Sequence, residues 1–243
     1  MNKKLCVVIP CFKVAKNIEN VINKIDYELV DKVLIIDDNC PEKTGELLNK
    51  KKLHDKIQII ILNKNLGVGG ATIQGFKKAI IENFDIVLKL DGDGQHEPSY
   101  IKNFIKTLEN ENVNFCKGSR FLITEEKNKI PKLRYLGNVI LTLITKKICK
   151  INTITDAVNG YLAIDINLLK KIDLDKLSYD YFFEEDLLFQ LSFHNLKIKE
   201  IPINTVYFKN RSSLNPLLVI LPFLLKHFKN LILRLKYEFT RKK

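Results

Sequence analysis

The sequence predicts an α/β fold in which a mostly parallel central sheet is flanked by helices. Two observations predict it: short apolar runs recur along the first half of the chain, and segments with apolar residues at helical spacing lie between them. This alternation is typical of repeated βαβ units. Of the 243 residues, 46% are hydrophobic and 28% are charged, a balance that excludes an intrinsically disordered chain.

Five apolar runs predict strands, because parallel strands buried on both faces read as continuous apolar segments. They cover residues 5–10, 33–36, 57–62, 85–90 and 113–116. Helices are expected where apolar side chains recur every three or four positions, at residues 17–25, 69–81 and 99–108. Farther along, we expect a loop at 124–134, helices at 136–148 and 184–194, and strands at 161–164 and 198–203.

The end of the chain predicts an amphipathic helix. Apolar residues recur at helical spacing from Leu221 to Phe239, and Lys and Arg residues surround them. We therefore divide the chain into one domain at residues 1–213 and a basic helical tail at 214–243. The tail either lies in the interface of an anionic bilayer, packs on the core with a solvated basic face, or pairs with a second copy. We expect peripheral membrane contact through residues 214–243, and a homo-oligomer is left open.

The net charge of +12 predicts attraction to a negatively charged partner. Nucleic acid is the disfavoured partner, because the lysines are dispersed and no recognition motif occurs. The five cysteines lack CxxC spacing, which favours reduced thiols over a zinc site or disulfides. No apolar run approaches the roughly 20 residues of a membrane-spanning helix. We therefore expect a cytoplasmic protein with peripheral contact to the inner face of the cell membrane.

Three polar or glycine-rich segments follow predicted strands, at the edge where open α/β sheets bind ligands. Asp37 and Asp38 follow the second strand and either accept hydrogen bonds from a base or ribose, or cap a helix. The turn at residues 65–70 either cradles a phosphate or only allows a helix to begin. Asp91 and Asp93 follow the fourth strand on a glycine turn, and either bind Mg²⁺ or Mn²⁺ or simply end the strand.

Several short motifs follow one another in a specific order over residues 5–213. In the first half they are Val7-Val-Ile-Pro10, Ile35-Ile-Asp-Asp38, Asn65-x-Gly67 with Gly69-Gly70, Asp91-Gly-Asp-Gly-Gln-His96 and Gly118-Ser-Arg-Phe121. In the second half they are Thr155-Asp156, Asn159-Gly-Tyr161, Phe183-Glu-Glu-Asp-Leu-Leu188 and Ile198-x-Glu200-Ile-Pro202. With these motifs the chain resembles glycosyltransferase family 2, and within it the dolichyl-phosphate mannosyltransferase-like branch.

The resemblance implies a GT-A fold and the inverting transfer of a sugar from a nucleotide-diphosphate-sugar donor. It also implies a membrane-associated acceptor, either a polyprenyl phosphate or a lipid-linked saccharide. The divalent metal, Mg²⁺ or Mn²⁺, would be held by Asp91, Asp93 and Gln95. We assign donor binding to Pro10, Cys11, Asp37, Asp38, Asn65, Gly67, Gly70, Asp91 and Arg211.

The same resemblance implies four catalytic residues. Asp93 acts together with the metal, and Arg120 adds positive charge beside the departing diphosphate. Glu185 or Asp186 serves as the base if the acceptor is a hydroxyl group. An acceptor phosphate is already anionic and needs no base.

The chain departs from the family pattern in three ways, one of which is Asn159-Gly-Tyr-Leu162 in place of Cys/Ser-Gly-Phe-Arg, with the loss of an arginine. Pro10-Cys-Phe-Lys-Val14 replaces the usual Pro-Thr-Tyr-Asn-Glu, which leaves the nucleotide base open. No Trp occurs, which argues against a processive polysaccharide synthase. A nucleotidyltransferase that releases pyrophosphate is the alternative enzyme, and the missing glycine- and lysine-rich loop after the first strand disfavours it.

Overall fold

The computed structural model describes residues 3–110, 112–206 and 216–241. Within these ranges, seven strands form a single sheet: β1 (Leu5–Cys11), β2 (Lys32–Asp37), β3 (Ile57–Ile61), β4 (Ile86–Lys89), β5 (Phe115–Ser119), β6 (Leu162–Asp165) and β7 (Ile198–Pro202). The helices in the same ranges are α1 (Ile18–Asn23), α2 (Thr44–Asn49), α3 (Gly67–Ile81), α4 (Ile101–Asn110), α5 (Thr124–Lys129), α6 (Lys132–Cys149), α7 (Ile166–Leu169), α8 (Phe183–Leu191) and α9 (Pro216–Arg241).

The sheet is mixed but mostly parallel, which confirms the predicted fold class. Its strands are ordered β3-β2-β1-β4-β6-β5-β7. Strands β1 to β4 are parallel to one another, because each is connected to the next by a helical crossover. Strand β6 runs antiparallel to both β4 and β5, whereas β7 is parallel to β5. The carboxyl ends of β1, β2 and β4 therefore meet at one edge of the sheet.

Two hydrophobic clusters cover the two faces of this sheet. Along β1, Val8 joins one cluster, while Val7 and Ile9 join the other. Side chains of a strand alternate between faces, so β1 is buried on both sides. Helix α3 contributes Phe76 to the first cluster and α4 contributes Phe104 to the second. This double burial explains why the strand reads as a continuous apolar run.

The expectation of a loop at residues 124–134 is wrong. The segment contains α5 and the start of α6. The reason is a contact distant in sequence: the Glu126 carboxylate, 1% exposed, accepts hydrogen bonds from Lys129 and from the backbone N–H of Thr205, the latter at 2.8 Å. Local charge density predicted a solvated loop, and this buried carboxylate instead fixes a helix against the segment that follows β7.

Helix α9 packs on the body of the protein through polar side chains. Its buried residues include His227, Asn230 and Arg234. The Arg234 Nε donates to the backbone oxygen of Ile148 at 2.9 Å, and the guanidinium lies 3.9 Å from the ring centroid of Phe193. The basic side chain of Arg234 is therefore buried and not solvated. The division at residues 213 and 214 stays a prediction, since residues 207–215 lie outside the described ranges.

The outer face of α9 is apolar. All eight residues of the predicted stripe are exposed, by 37% to 66%: Leu221, Leu224, Leu225, Phe228, Leu231, Ile232, Leu235 and Phe239. Helix α6 packs against α9 and also exposes large apolar side chains, namely Leu133, Leu136, Ile140 and Leu143. None of the helices in the described ranges is long and apolar enough to traverse a bilayer.

Candidate active site

The turn after β4 lies at the centre of the site. Asp91 comes two residues after Lys89, the last residue of β4. Gly94 has a φ of +79°, in the left-handed region that glycine enters at no steric cost. Asp93 is fixed in this turn, because its Oδ1 accepts a hydrogen bond from the backbone N–H of Gln95 at 2.9 Å. The turn thus holds two carboxylates close together at the carboxyl edge of the sheet.

A buried lysine contacts the first of these carboxylates. The Nζ of Lys89 lies 2.6 Å from Oδ1 of Asp91, 3.1 Å from Oε1 of Glu184 and 3.3 Å from the backbone oxygen of Gly160. Burial lowers the pKa of Lys89, but the charges of Asp91 and Glu184 outweigh it and hold that pKa above the ordinary value. Lys89 is therefore charged and joins the turn after β4 to α8.

The ionisable groups of the turn differ in pKa. Burial raises the pKa of Asp91, but the charge of Lys89 outweighs burial and the pKa is lowered. Burial and the charge of Asp91 together raise the pKa of Asp93 to about 6. Burial lowers the pKa of His96 to about 4 against the opposing charge of Asp91. At pH 7 both carboxylates are thus anionic and His96 is neutral.

The three acidic residues in the first turn of α8 have different surroundings, because successive helical side chains point about 100° apart. Glu184 contacts Lys89. The Oδ2 of Asp186 accepts hydrogen bonds from the backbone N–H and Oγ of Ser178, at 2.8 and 3.0 Å, and its Oδ1 accepts one from Asn230 at 3.3 Å. Both oxygens of Glu185 are buried without a hydrogen-bond partner in the described part of the chain. The three carboxylates therefore do not face one common site.

Glu185 makes the stability of the protein depend on pH. Burial and the charge of Glu184 raise the pKa of Glu185 from 4.5 to about 8. The folded state therefore binds this proton more tightly than the unfolded state. The stabilisation that this proton gives to the folded state is complete below about pH 4.5. It is lost as the pH rises through about 8, and the free energy of unfolding then falls by up to about 1.4 kcal/mol per pH unit.

We expect Glu185→Gln to remove this loss, because an amide of similar shape stays neutral at every pH. Urea unfolding at pH 5, 6, 7 and 8 should give a flatter pH dependence of the free energy of unfolding for the variant than for the unaltered protein. Glu125→Gln, in the first turn of α5, serves as the control. Equal slopes for all three proteins would contradict the assignment of the pH dependence to Glu185.

Arg120 lies in a buried ion pair. Its Nε and Nη2 donate to Oδ2 and Oδ1 of Asp156 at 2.7 and 2.8 Å. The side chain of Arg120 is 5% exposed and that of Asp156 is fully buried. A contact between Arg120 and a substrate phosphate stays a prediction. The ion pair with Asp156 does not favour it, because the guanidinium is already bound there. Arg211, the other arginine assigned to donor binding, lies outside the described residues.

Asp37 and Asp38 lie at the carboxyl end of β2, and their carboxylates bind backbone amides. Asp37 accepts hydrogen bonds from the N–H groups of Cys40 and Gly45 at 2.7 and 2.5 Å, the second of them in the first turn of α2. Asp38 accepts from the N–H groups of Leu66 and Gly67 at 2.6 and 2.8 Å. Both aspartates thus hold the segments around the cleft, and their contact with a base or ribose stays a prediction.

The glycine-rich turn before α3 packs against the segment that precedes α8. The N–H of Gly70 donates to the backbone oxygen of Tyr179 at 3.0 Å. Gly67 has a φ of +83°, and a Cβ at this position would lie 2.5 Å from the same oxygen. The exposed Asn65 donates from its side chain to the backbone oxygen of Asp38 at 3.2 Å. Phosphate binding by Asn65, Gly67 and Gly70 stays a prediction, and close packing already explains the glycines.

Pro10 and Cys11 end β1 and are buried. Cys11 is opposite Asp37 in the parallel register of β1 and β2. A Cβ at Gly92 would lie 3.2 Å from the Cys11 Sγ, so the turn after β4 packs directly on this thiol. The side chain of Cys11 therefore supports the floor of the site, and its contact with a nucleotide stays a prediction.

Two basic residues of the site were not identified from the sequence. Lys89 is the one charged residue in an otherwise apolar strand, a signal that was available. Arg134, on α6, lies close enough to Asp93 for its charge to lower the pKa of that carboxyl. Its segment was expected to be a loop, and only the fold brings it to the turn.

The residues of this turn fit a divalent cation that arrives with its nucleotide. Within the described ranges, no three His, Cys, Asp or Glu side chains form a preformed metal site. Mg²⁺ in nucleotide sites is nevertheless usually bound through one or two carboxylates, with substrate phosphates and water completing the shell. Burial and the like charge of Asp91 raise the pKa of Asp93, and a cation would relieve the repulsion between the two carboxylates. Asp91 and Asp93 supply the oxygens for such a site, with Gln95 beside them.

Solved structures with this fold include those of glucosyl-3-phosphoglycerate synthase from Mycobacterium tuberculosis. The complex with Mn²⁺, UDP and glucosyl-3-phosphoglycerate has a TM-score of 0.69 and 17% identity, over 96% of this chain and 80% of that chain. The complex with Mg²⁺ and UDP has a TM-score of 0.70 and 16% identity, over 96% and 79%. This chain therefore has the GT-A fold, which these glycosyltransferases share.

The family follows from the sequence comparison. The model of glycosyl transferase family 2 matches residues 6–172 of the 243 residues. The chain belongs to glycosyltransferase family 2, which confirms the resemblance seen in its motifs.

Two characterised relatives are similar over most of the chain. One is the UDP-N-acetylglucosamine–dolichyl-phosphate N-acetylglucosaminyltransferase of Methanococcus voltae, 29% identical over 85% of this chain and 87% of the relative. Another is the undecaprenyl-phosphate mannosyltransferase of Micrococcus luteus, 27% identical over 72% of this chain and 71% of the relative. Both names describe the transfer of a sugar to a polyprenyl phosphate.

Proposed function

We propose that this glycosyltransferase moves a sugar from a nucleotide-diphosphate-sugar donor to a polyprenyl phosphate, with inversion at the anomeric carbon. The named relatives support this acceptor class, since both act on polyprenyl phosphates. The observation that carries the proposal is the state of the acidic residues of α8. Glu184 is paired with Lys89, Asp186 is bonded to Ser178 and Asn230, and Glu185 is buried.

This state of the acidic residues favours an acceptor that needs no base. A hydroxyl acceptor must lose its proton to a carboxylate as it attacks. Two of the three carboxylates already accept hydrogen bonds from the protein, and the pKa of the third, Glu185, is raised to about 8, so that it carries a proton at pH 7. A phosphate oxygen is already anionic and attacks without a base, so Glu185 and Asp186 take no proton in this proposal.

In the proposed reaction, an oxygen of the acceptor phosphate forms a bond to the anomeric carbon. The bond from that carbon to the nucleoside diphosphate breaks on the opposite face, and the diphosphate leaves with the electron pair. When bound, Mg²⁺ or Mn²⁺ supplies charge neutralisation of the diphosphate. Asp91 and Asp93 would hold the cation, with Gln95 beside them. The charge of Arg134 lies close to Asp93 and favours an anionic leaving group.

The experiment that tests this function proceeds in two steps. Thermal unfolding with Mn²⁺ and UDP, GDP, dTDP or CDP identifies the base, because a nucleotide at 100 times its Kd stabilises the fold by about 2.7 kcal/mol. Sugar transfer from the matching donors is then measured to a polyprenyl phosphate and to the corresponding polyprenol. Transfer to the phosphate alone is expected. Transfer to a hydroxyl acceptor, with none to the phosphate, would overturn the acceptor assignment.

We also propose peripheral contact with the inner face of the membrane, through the outer face of α9. That face exposes eight apolar side chains, and Lys229, Lys236 and Arg241 lie on the same helix. Apolar residues flanked by basic ones are the composition that binds an anionic bilayer interface. The apolar residues exposed on α6 adjoin this helix. The five cysteines are buried and form no disulfide with one another, which fits a reducing cytoplasm.

Two glutamates placed in the outer face of α9 test the membrane contact. Phe228→Glu with Leu235→Glu should lower sedimentation with anionic vesicles by about tenfold or more, because each glutamate replaces burial in the interface with repulsion. The matched control is Leu47→Glu with Ile81→Glu, which changes two exposed apolar residues on α2 and α3. Point variants are preferable to deletion of residues 214–243, since α9 binds Asp186 and Asp180. Equal vesicle binding by all three proteins would refute the contact.

A further inference from the structure

Lys89 is the one charged side chain in a strand that is otherwise apolar. The other residues of β4, Ile86, Val87 and Leu88, are fully buried in the core, and the side chain of Lys89 is 1% exposed. A buried ammonium group is costly unless each of its N–H groups has an acceptor. The three acceptors at 2.6, 3.1 and 3.3 Å match the three donors of an ammonium group. Lys89 is therefore held in one position.

The lysine binds two elements of the site at once. Asp91 belongs to the turn after β4, and Glu184 belongs to the first turn of α8. The cluster is tightly packed, because a Cβ at Gly160 would lie 2.6 Å from both Lys89 Nζ and Asp91 Oδ2. Exposure rises from 1% at Lys89 and 8% at Glu184 to 28% at Asp91. Asp91 is thus the member of this cluster that solvent and ligands can reach.

The formal charges of Lys89, Asp91, Asp93 and Glu184 together are equal and opposite to that of one divalent cation. Asp91, Asp93 and Glu184 carry three negative charges, and Lys89 carries one positive charge, which leaves two negative charges. Without Lys89 three negative charges would remain, and without Glu184 only one. The lysine and the glutamate therefore act on the cation site in opposite directions.

We propose that Lys89 is a positioning residue that acts through Asp91, and that Lys89 and Glu184 together set the charge that the donor site presents to a divalent cation. Lys89 binds one oxygen of Asp91, so that a cation at the turn meets a carboxylate of fixed orientation and partly neutralised charge. The proposal rests on the metal site of the proposed function. In this role Lys89 acts through its contacts with Asp91 and Glu184.

Substitutions of the two residues should have opposite effects on cation affinity. Lys89→Met removes a positive charge and should bind Mn²⁺ about tenfold or more tightly. Glu184→Gln keeps the shape and removes a negative charge, and should bind Mn²⁺ about tenfold or more weakly. The double variant restores the original balance and should return to within about threefold of the unaltered protein. A purely structural role would weaken binding in both single variants.

The test is a titration of the full chain with Mn²⁺ alone at pH 8. Electron paramagnetic resonance measures the free Mn²⁺ at each step. Lys32→Met is the control, because Lys32 also lies in a strand and forms an ion pair, with Glu82 at 2.7 Å, but at the amino end of β2 and away from the turn. It should lower the unfolding midpoint without tightening Mn²⁺ binding. If Lys89→Met fails to fold, Lys89→Gln carries the test, since it removes the same charge, keeps an N–H donor and should also tighten Mn²⁺ binding.

This design distinguishes a failure of the role of Lys89 from a failure of the metal site. Unchanged or weaker Mn²⁺ binding by folded Lys89→Met, unchanged binding by Glu184→Gln, or equal tightening by Lys32→Met would overturn the role of Lys89. If the unaltered protein binds Mn²⁺ no better than Asp93→Asn does, both alone and with the nucleoside diphosphate that thermal unfolding selects, the proposed metal site itself fails.

Discussion

Asp93→Asn is expected to lower the rate of sugar transfer by about 10²- to 10³-fold, the largest change in activity that we expect from a single substitution. The asparagine oxygen still accepts the hydrogen bond that Gln95 donates to Oδ1 of Asp93, so the turn keeps its conformation. The negative charge is lost, and with it the second carboxylate that holds a cation against the departing diphosphate. Initial rates at increasing Mn²⁺ concentration measure the effect.

Asp175→Asn is the control for this measurement, because Asp175 is exposed and pairs with Lys77 at the surface. The control should keep the activity of the unaltered protein at every Mn²⁺ concentration. Full activity of Asp93→Asn in the presence of EDTA would contradict a cation-dependent reaction at this turn.

Asp156→Asn is expected to cause the largest loss of stability, about 3–5 kcal/mol in the free energy of unfolding. Burial raises the pKa of Asp156, but the charge of Arg120 outweighs it and the pKa is lowered, so the pair is ionic. The substitution leaves a guanidinium that is 5% exposed without the carboxylate that binds it in two places. Urea unfolding at pH 7 measures the loss.

The contrast with a surface ion pair makes this measurement decisive. Asp173→Asn removes the partner of Lys176 in a pair that is largely exposed, and should cost less than about 1 kcal/mol. Arg120→Met combined with Asp156→Asn removes both charges and should be more stable than Asp156→Asn alone. A loss of less than about 1 kcal/mol for Asp156→Asn would show that the pair contributes little to the fold.

The strands and the edge of the sheet that holds the site could be predicted from the sequence, because both depend on local patterns. Buried parallel strands are apolar throughout, and the turn from Asp91 to Gly94 combines carboxylates with glycines. The antiparallel direction of β6 has no such local signal. It depends on pairing with β4 and β5, which are distant in the chain.

The partners of the charged side chains could not be predicted, because a sequence motif does not state what its residues contact. The three consecutive acids at residues 184–186 read as one cluster, yet helical geometry turns them toward different neighbours. Arg120 read as a phosphate ligand, yet a buried aspartate binds it. Such contacts are decided by packing between elements that are far apart in sequence.

The docked state of α9 bears on how the protein would adsorb to lipid. Lys226 forms an ion pair with Asp180 at 2.6 Å, and Arg234 and Asn230 bind the body of the protein. The helix is therefore already formed and oriented in water, with its apolar side turned outward. A segment that folds only on contact loses affinity to the entropy of ordering, and a preorganised helix avoids that loss. Circular dichroism should accordingly record no gain of helicity when vesicles are added.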